Sequence, residues 1–186
     1  MGLTRFKSSN HPQQVKKRGP DDATDNRATP VEWFAEMQAR WEFTVDVAAS
    51  AANHKLPRYF TIRDNGLMQP WTGERVWCNP PFSRIGAWVE KAWHESRAAS
   101  LIVLLVPANR TEQAWWQDFI EPYRDRAGSP LRVEFIRQRR RFIASGNAAV
   151  QANERPPFGV CLLIWEWPAV NLRKSQESLF GTEAVS

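Results

Sequence analysis

Hydrophobic residues along this chain follow two spacings in turn, which predicts alternating strands and helices. Continuous apolar runs at 101–106 and 159–165 are typical of strands that are buried on both faces. Apolar residues at three- and four-residue intervals predict helices instead. The predicted helices cover 31–40, 85–97 and 111–120, and the other predicted strands cover 43–47, 75–78 and 132–136. This order predicts an α/β domain with a mostly parallel sheet flanked by helices.

Polar segments without clear periodicity at both ends predict flexible tails around one domain. Residues 1–27 are rich in Ser, Asn, Gln, Lys and Asp, and residues 169–186 also lack an apolar pattern. The intervening residues 28–168 suffice for one domain with a substantial core. Because no segment resembles a secretion signal or a membrane span, we expect a cytoplasmic protein.

The charge of the chain is unevenly distributed. The formal net charge is +5 and the pI is near 9.6, which permits a polyanionic partner. Four arginines, Arg137, Arg139, Arg140 and Arg141, form a basic stretch suited to contacts with a phosphate backbone. A solvated basic surface is the alternative interpretation for any one of them.

The segment Asn79-Pro80-Pro81-Phe82 is the most informative chemical feature. Two consecutive prolines fix two φ angles and push the residue before each out of the α region, so a stiff elbow follows the strand at 75–78. The elbow suits an exocyclic amino group on a flat base. The Asn79 side chain and the Pro80 carbonyl can accept the two N–H hydrogens, while the Phe82 ring holds the base plane.

Polar side chains also mark the predicted strand ends. Asp46 follows one strand and Asn79 another, and ligands bind outside the carboxyl ends of strands in such sheets. Upstream, Thr29 and Pro30 with Glu32 predict a helix start in which Thr29 is the N-cap and Pro30 the first helical residue. The two cysteines, Cys78 and Cys161, lie in apolar runs without metal-ligand spacing, which favours reduced core thiols.

Taken in order, these features resemble the phage-type DNA N6-adenine methyltransferase family (Dam-like), which is common in phages and prophages. The resemblance covers most of the chain between residues 29 and 167. The matching pieces are Ala28-Thr29-Pro30, Phe43-Thr44-Val45-Asp46-Val47-Ala48-Ala49-Ser50, Asn53, Asp64-Asn65-Gly66-Leu67, Trp71, Val76-Trp77-Cys78-Asn79-Pro80-Pro81-Phe82, Leu105-Val106-Pro107-Ala108, Trp115-Trp116 and Arg141-Phe142.

This resemblance implies a Rossmann-like methyltransferase fold with S-adenosylmethionine as the methyl donor. It places Thr29 and Pro30 at the methionine end of the cofactor, and Asp46 and Ala48 in the cofactor loop. Asp46 would bind the cofactor's amino or ribose groups through charge-assisted hydrogen bonds, with a role as an N-cap or turn residue as the alternative. Asp64 is a second candidate, for the cofactor's adenine amino group or ribose, and its alternative is turn formation in Asp64-Asn65-Gly66. The loop lacks the glycine-rich motif of many such enzymes, and no acidic residue clearly ends a second core strand.

The implied substrate is double-stranded DNA with the target adenine flipped out, since the base is unreachable inside a duplex. Cytosine-N4 methylation uses the same amino-group chemistry and remains open, as does methylation of a protein glutamine. Cytosine-C5 methylation is disfavoured because it needs a nucleophilic cysteine. A catalytically idle DNA-binding module of the same fold is the alternative from another class. Protection from host restriction is a role that the resemblance alone suggests.

Overall fold

A computed structural model describes residues 27–137, 142–144 and 158–167. The strands are β1 Arg27–Ala28, β2 Val45–Asp46, β3 Arg75–Cys78, β4 Leu101–Pro107, β5 Leu131–Phe135, β6 Ile143–Ala144 and β7 Val160–Trp165, and the helices are α1 Val31–Trp41, α2 Ile85–Glu95 and α3 Ala114–Phe119. Five of the strands form a central sheet with the spatial order β2-β3-β4-β7-β5. A separate two-stranded ribbon pairs β1 with β6.

The sheet is mixed. The three strands β2, β3 and β4 are parallel, whereas β7 lies antiparallel between β4 and β5. The α/β class is therefore confirmed, and four of the five strands run in the same direction, but the sheet is mixed because β7 runs against its two neighbours. Apolar runs reveal where a buried strand lies but carry no information about its direction, which is why β7 was indistinguishable from its neighbours.

Each face of the sheet has its own apolar core. Along β4 the side chains alternate, so that Ile102, Leu104 and Val106 enter one core while their neighbours enter the other. Helix α1 covers the second core with Trp33, Phe34, Met37 and Trp41, and helices α2 and α3 cover the first with Ile85, Trp88, Val89, Trp115 and Trp116. Burial on both faces explains the unbroken apolar sequence of β4.

Helix α2 begins at Ile85 as predicted, whereas the predicted starts of α1 and α3 were wrong by one and three residues. Helix α1 begins at Val31 with Pro30 as its N-cap, and no side chain caps it. Thr29 therefore does not form the expected capping box, and its hydroxyl takes part in a tertiary contact described below. Helix α3 begins at Ala114, not at Thr111. Thr29, which the local pattern predicted as a cap, instead contacts Asn79, and Thr111 lies in a turn that precedes the helix.

The sheet continues beyond β2 through a short unpredicted segment. Arg58 accepts a hydrogen bond from the Asp46 N–H (3.1 Å), and the Phe60 N–H donates to the Asp46 carbonyl (2.8 Å). Tyr59 thus pairs in parallel with Asp46. The chain leaving Phe60 consequently emerges at the same edge of the sheet as the chain leaving β2 and β3.

The predicted tails lie largely outside the described residues, which begin at Arg27 and end at Trp167. Arg27, the last residue of the predicted N-terminal tail, pairs with Ala144 in the β1–β6 ribbon. Within the described ranges, no helix is both long and apolar enough to cross a membrane.

Candidate active site

The elbow after β3 is held by contacts from distant parts of the chain. The Asn79 side-chain nitrogen Nδ2 lies 3.3 Å from the hydroxyl of Thr29, to which it donates a hydrogen bond. Thr29 is buried, and so is the Asn79 oxygen Oδ1. On the other side, the Arg110 guanidinium donates to the Phe82 carbonyl (2.8 Å). The elbow is therefore stiff from its prolines and also anchored at both ends.

The Phe82 ring is enclosed by other aromatic rings. Only 2% of Phe82 is exposed, and its ring makes edge contacts with Phe142 (centroids 6.1 Å apart) and Phe158 (6.0 Å). The sequence alone suggested a ring that is accessible to a flat base. In the arrangement described here, a base could stack on Phe82 only after one of these neighbouring rings moved aside.

Asp46 organises the loop that follows β2. One carboxylate oxygen accepts the Ala48 N–H (3.4 Å) and the other accepts the Lys55 N–H (3.0 Å), so this side chain closes the loop. Asp46 is 3% exposed, and burial raises its pKa to about 6 against the opposing effect of these hydrogen bonds. Burial also lowers the pKa of the neighbouring Lys55. The loop thus contains a buried carboxylate that titrates near neutral pH.

Asp64 sits in a turn that is docked on this loop. Its carboxylate accepts the Thr61 N–H (2.8 Å) and the Thr61 hydroxyl (2.7 Å), which lowers the pKa of Asp64. Two residues later, Gly66 packs so tightly that a β-carbon there would lie 2.1 Å from the Val47 carbonyl oxygen. Only glycine fits this contact, and it joins the Asp64 turn to the residue that follows Asp46.

The structure brings most of the predicted site residues to one edge of the sheet. Asp46 pairs with Trp77, two residues before Asn79, and the Val47 N–H donates to the Trp77 carbonyl (3.0 Å). Thr29 contacts Asn79 directly, so Thr29 and Pro30 lie at the elbow. Ala48 is partly exposed in the loop.

Of the four arginines predicted to contact DNA, one lies within the described residues. Arg137 is exposed just beyond the end of β5. Arg139, Arg140 and Arg141 lie outside the described residues, so their placement stays a prediction.

Comparison with known proteins bears directly on this site. The model of the family DNA N-6-adenine-methyltransferase (Dam) matches residues 16–179 of the chain. The chain belongs to this family. The resemblance inferred from the sequence is thereby confirmed. A protein named DNA N-6-adenine-methyltransferase, from Escherichia phage T1, is 30% identical over 116 residues, which are 61% of this chain and 45% of the phage protein. The match thus spans less than half of that relative.

Sequence reasoning missed three residues that shape the site in this Dam-family chain. Arg110 follows β4 and could have been found by the strand-end argument that singled out Asp46. Lys55 gave no local signal, and Gly66 was noted only as part of a turn, because the roles of both depend on contacts with the loop after β2.

The cysteines of this Dam-family chain are buried free thiols. Burial, with a smaller effect from the charge of Asp46, raises the pKa of the Cys78 thiol well above its ordinary value. Burial also raises the pKa of Cys161 to about 12. Neither thiol is suited to the nucleophilic attack that cytosine-C5 methylation requires.

A cavity of about 520 Å³ lies at the opposite edge of the sheet, away from the elbow. It is lined by Trp93, Arg97, Tyr123, Arg126 and Trp167, among others, and contains none of the predicted site residues. Among the described residues, no cluster of His, Cys, Asp and Glu side chains could hold a metal ion.

Proposed function

We propose that this protein is an S-adenosylmethionine-dependent methyltransferase that acts on the N6 amino group of adenine in DNA. Membership of the Dam family and the name of the phage relative support adenine in DNA as the target. The observation that carries the proposal is the anchored Asn79 amide at the carboxyl end of a central strand. The oxygen of such an amide can accept an N–H hydrogen of the target amino group.

The arrangement of strands supports a Rossmann-like methyltransferase fold. The parallel strands β2 and β3 deliver Asp46 and Asn79 to neighbouring positions at one edge. Ligands of open α/β sheets bind at such carboxyl edges. The proposed donor site and the proposed acceptor site are therefore adjacent in the sheet.

In the proposed reaction, Asn79 and Pro80 act as acceptors. The adenine amino nitrogen is a poor nucleophile because its lone pair is delocalised into the ring. Hydrogen bonds to the Asn79 side-chain oxygen and the Pro80 carbonyl favour a pyramidal nitrogen with a localised lone pair as the N–C bond forms. The nitrogen then loses one proton to solvent. Thr29 and Pro81 act indirectly, by orienting the amide and stiffening the elbow.

The donor site is proposed at the loop after β2. When bound, S-adenosylmethionine would supply an electrophilic methyl group. Thr29, Pro30, Ala48 and Asp64 are the residues proposed to hold it. The small side chains of Ala48 and its neighbour Ala49 allow close approach of a ligand. Asp46 accepts two backbone N–H groups, which fixes the loop, and the remaining lone pairs of its carboxylate are proposed to accept hydrogen bonds from the cofactor's amino or ribose groups.

The base must leave the duplex to reach Asn79, and the enzyme must hold the DNA backbone meanwhile. Arg137, Arg139, Arg140 and Arg141 are proposed to contact phosphates. Replacing the last three by Ala should weaken DNA binding and reduce its dependence on salt, because fewer counterions are released. Binding titrations at several salt concentrations measure this slope. If the variant's DNA affinity depends on salt concentration as steeply as that of wild type, these arginines do not contact phosphates.

The decisive experiment supplies labelled S-adenosylmethionine and unmethylated double-stranded DNA, followed by nucleoside analysis. Label in N6-methyladenine is the expected result. Label in N4-methylcytosine would move the target to cytosine while preserving the amino-group chemistry. If calorimetry detects no binding of S-adenosylmethionine and no label is transferred, the chain is an idle module and the proposal is wrong.

A further inference from the structure

Two large apolar side chains protrude from one ordered turn. Ile62 is 93% exposed and Met68 is 76% exposed, which makes them the most exposed large hydrophobic residues in the described part of the chain. Between them, Arg63 is also exposed and forms no ion pair with any described residue. Apolar groups held in solvent beside a free cation are typical of a surface that meets a partner.

This turn is built rigidly although its side chains face solvent. Thr61 is bonded to the Asp64 carboxylate through both its N–H and its hydroxyl. Gln69 donates to the Asp64 carbonyl (2.6 Å), and the Met68 N–H donates to the Asn65 carbonyl (2.8 Å). A buried indole, that of Trp71, donates to the Gly66 carbonyl (3.1 Å). Because these hydrogen bonds already fix the backbone of the turn, less conformational entropy is lost when its exposed side chains bind a partner.

The turn emerges beside the elbow. The segment that ends at Phe60 pairs in parallel with β2, and β2 pairs in parallel with β3. Adjacent strands lie about 4.8 Å apart, so the exit points of Phe60 and Cys78 are separated by roughly 10 Å. Ile62 follows Phe60 by two positions, so it lies near enough to the elbow to be reached by a duplex whose target base is at Asn79.

We propose that Ile62 is a wedge that enters the DNA base stack when the target adenine is extruded, with Met68 packed alongside and Arg63 on a flanking phosphate. This inference rests on the proposed function. When the target base leaves the duplex, its neighbours lose their stacking contacts with it, and an inserted aliphatic side chain replaces some of these contacts. The Asp64 carboxylate stays ionised but is turned onto Thr61 by two hydrogen bonds, and the exposed Arg63 side chain beside it is the group proposed to meet the phosphate.

The test compares Ile62→Ala with wild type on two duplexes. In one, the target adenine is paired with thymine; in the other, it faces an abasic site and costs little to extrude. Ile62→Ala should slow methyl transfer about tenfold or more on the paired duplex and only slightly on the abasic one. Ile62→Leu, which keeps an aliphatic wedge, should restore most of the rate. Val31→Ala, which trims another exposed aliphatic residue, is the matched control and should behave as wild type.

The possible outcomes separate this inference from the function on which it rests. If wild type produces no N6-methyladenine, the proposed function fails first. If wild type is active and Ile62→Ala matches it on the paired duplex, the wedge is wrong. An equal loss on both duplexes, or weakened S-adenosylmethionine binding in calorimetry, would also overturn it. Because Ile62 is exposed, the thermal unfolding midpoint of the variant should equal that of wild type.

Discussion

The two strand ends that form the candidate site achieve their shape in different ways. The elbow after β3 is stiffened by its own prolines, and two contacts from Thr29 and Arg110 anchor it. The loop after β2 has no such covalent constraint. Its form depends on the Asp46 carboxylate and on the docking of Gly66 against Val47.

Because of this difference, we expect mutations in the elbow and mutations in the loop after β2 to affect stability and activity in different ways. The backbone of the elbow is stiffened by its own prolines, so removing the Asn79 side chain should leave the fold intact even though its contact with Thr29 is lost. The loop is determined by packing between segments, so a change there should alter stability and ligand binding together. The three substitutions below separate these behaviours.

The largest effect is expected from Asn79→Ala, which removes the proposed acceptor. Methyl transfer should fall by about 10²- to 10³-fold, the usual range for losing one group that stabilises a transition state. Single-turnover kinetics with labelled S-adenosylmethionine measure the rate. Calorimetry should find cofactor binding close to that of wild type, since Asn79 belongs to the elbow. Turnover near the wild-type rate would remove Asn79 from the mechanism.

Gly66→Ala should act on the loop and have a smaller effect. The added β-carbon collides with a backbone oxygen, which cannot rotate away as a side chain would, so the loop must shift. We expect a loss of about 1–3 kcal/mol in unfolding free energy, accompanied by weaker S-adenosylmethionine binding. Urea denaturation and calorimetry measure the two. Gly86→Ala is the control, because a β-carbon there meets only ordinary contacts with Trp115 at 3.6 Å. If Gly66→Ala destabilises the protein but leaves S-adenosylmethionine binding unchanged, the Asp64 turn does not contribute to the donor site.

The same contrast explains what could be predicted from the sequence. The elbow at Asn79 and the strand before it were predictable, because prolines and apolar runs act over a few residues. The docking of Gly66, the pairing of Tyr59 with Asp46 and the hydrogen bond between Thr29 and Asn79 join segments far apart in sequence. No local pattern encodes such contacts. The enclosure of Phe82 by two rings from later in the chain was missed for the same reason.

Asp46→Asn is expected to have the smallest effect on stability at neutral pH. The pH dependence of this effect tests the role of the Asp46 carboxylate in the loop. Asn keeps the shape and, like the protonated acid, is neutral and can accept a hydrogen bond, so the loss of stability should be about 1 kcal/mol below pH 4 and smaller at pH 7. In wild type the folded pKa is about 6, against 3.8 ordinarily. The folded state therefore binds more protons than the unfolded state between these values.

The contribution of Asp46 to stability is consequently fully present below about pH 4 and decreases as the pH rises to about 6. Above that value it is level. The difference in unfolding free energy between wild type and Asp46→Asn should therefore change between pH 4 and 6 and be constant above pH 7. Urea denaturation of both proteins at matched pH measures the difference and cancels the titration of other groups. A difference that is independent of pH would mean that the pKa of Asp46 is not raised in the folded state.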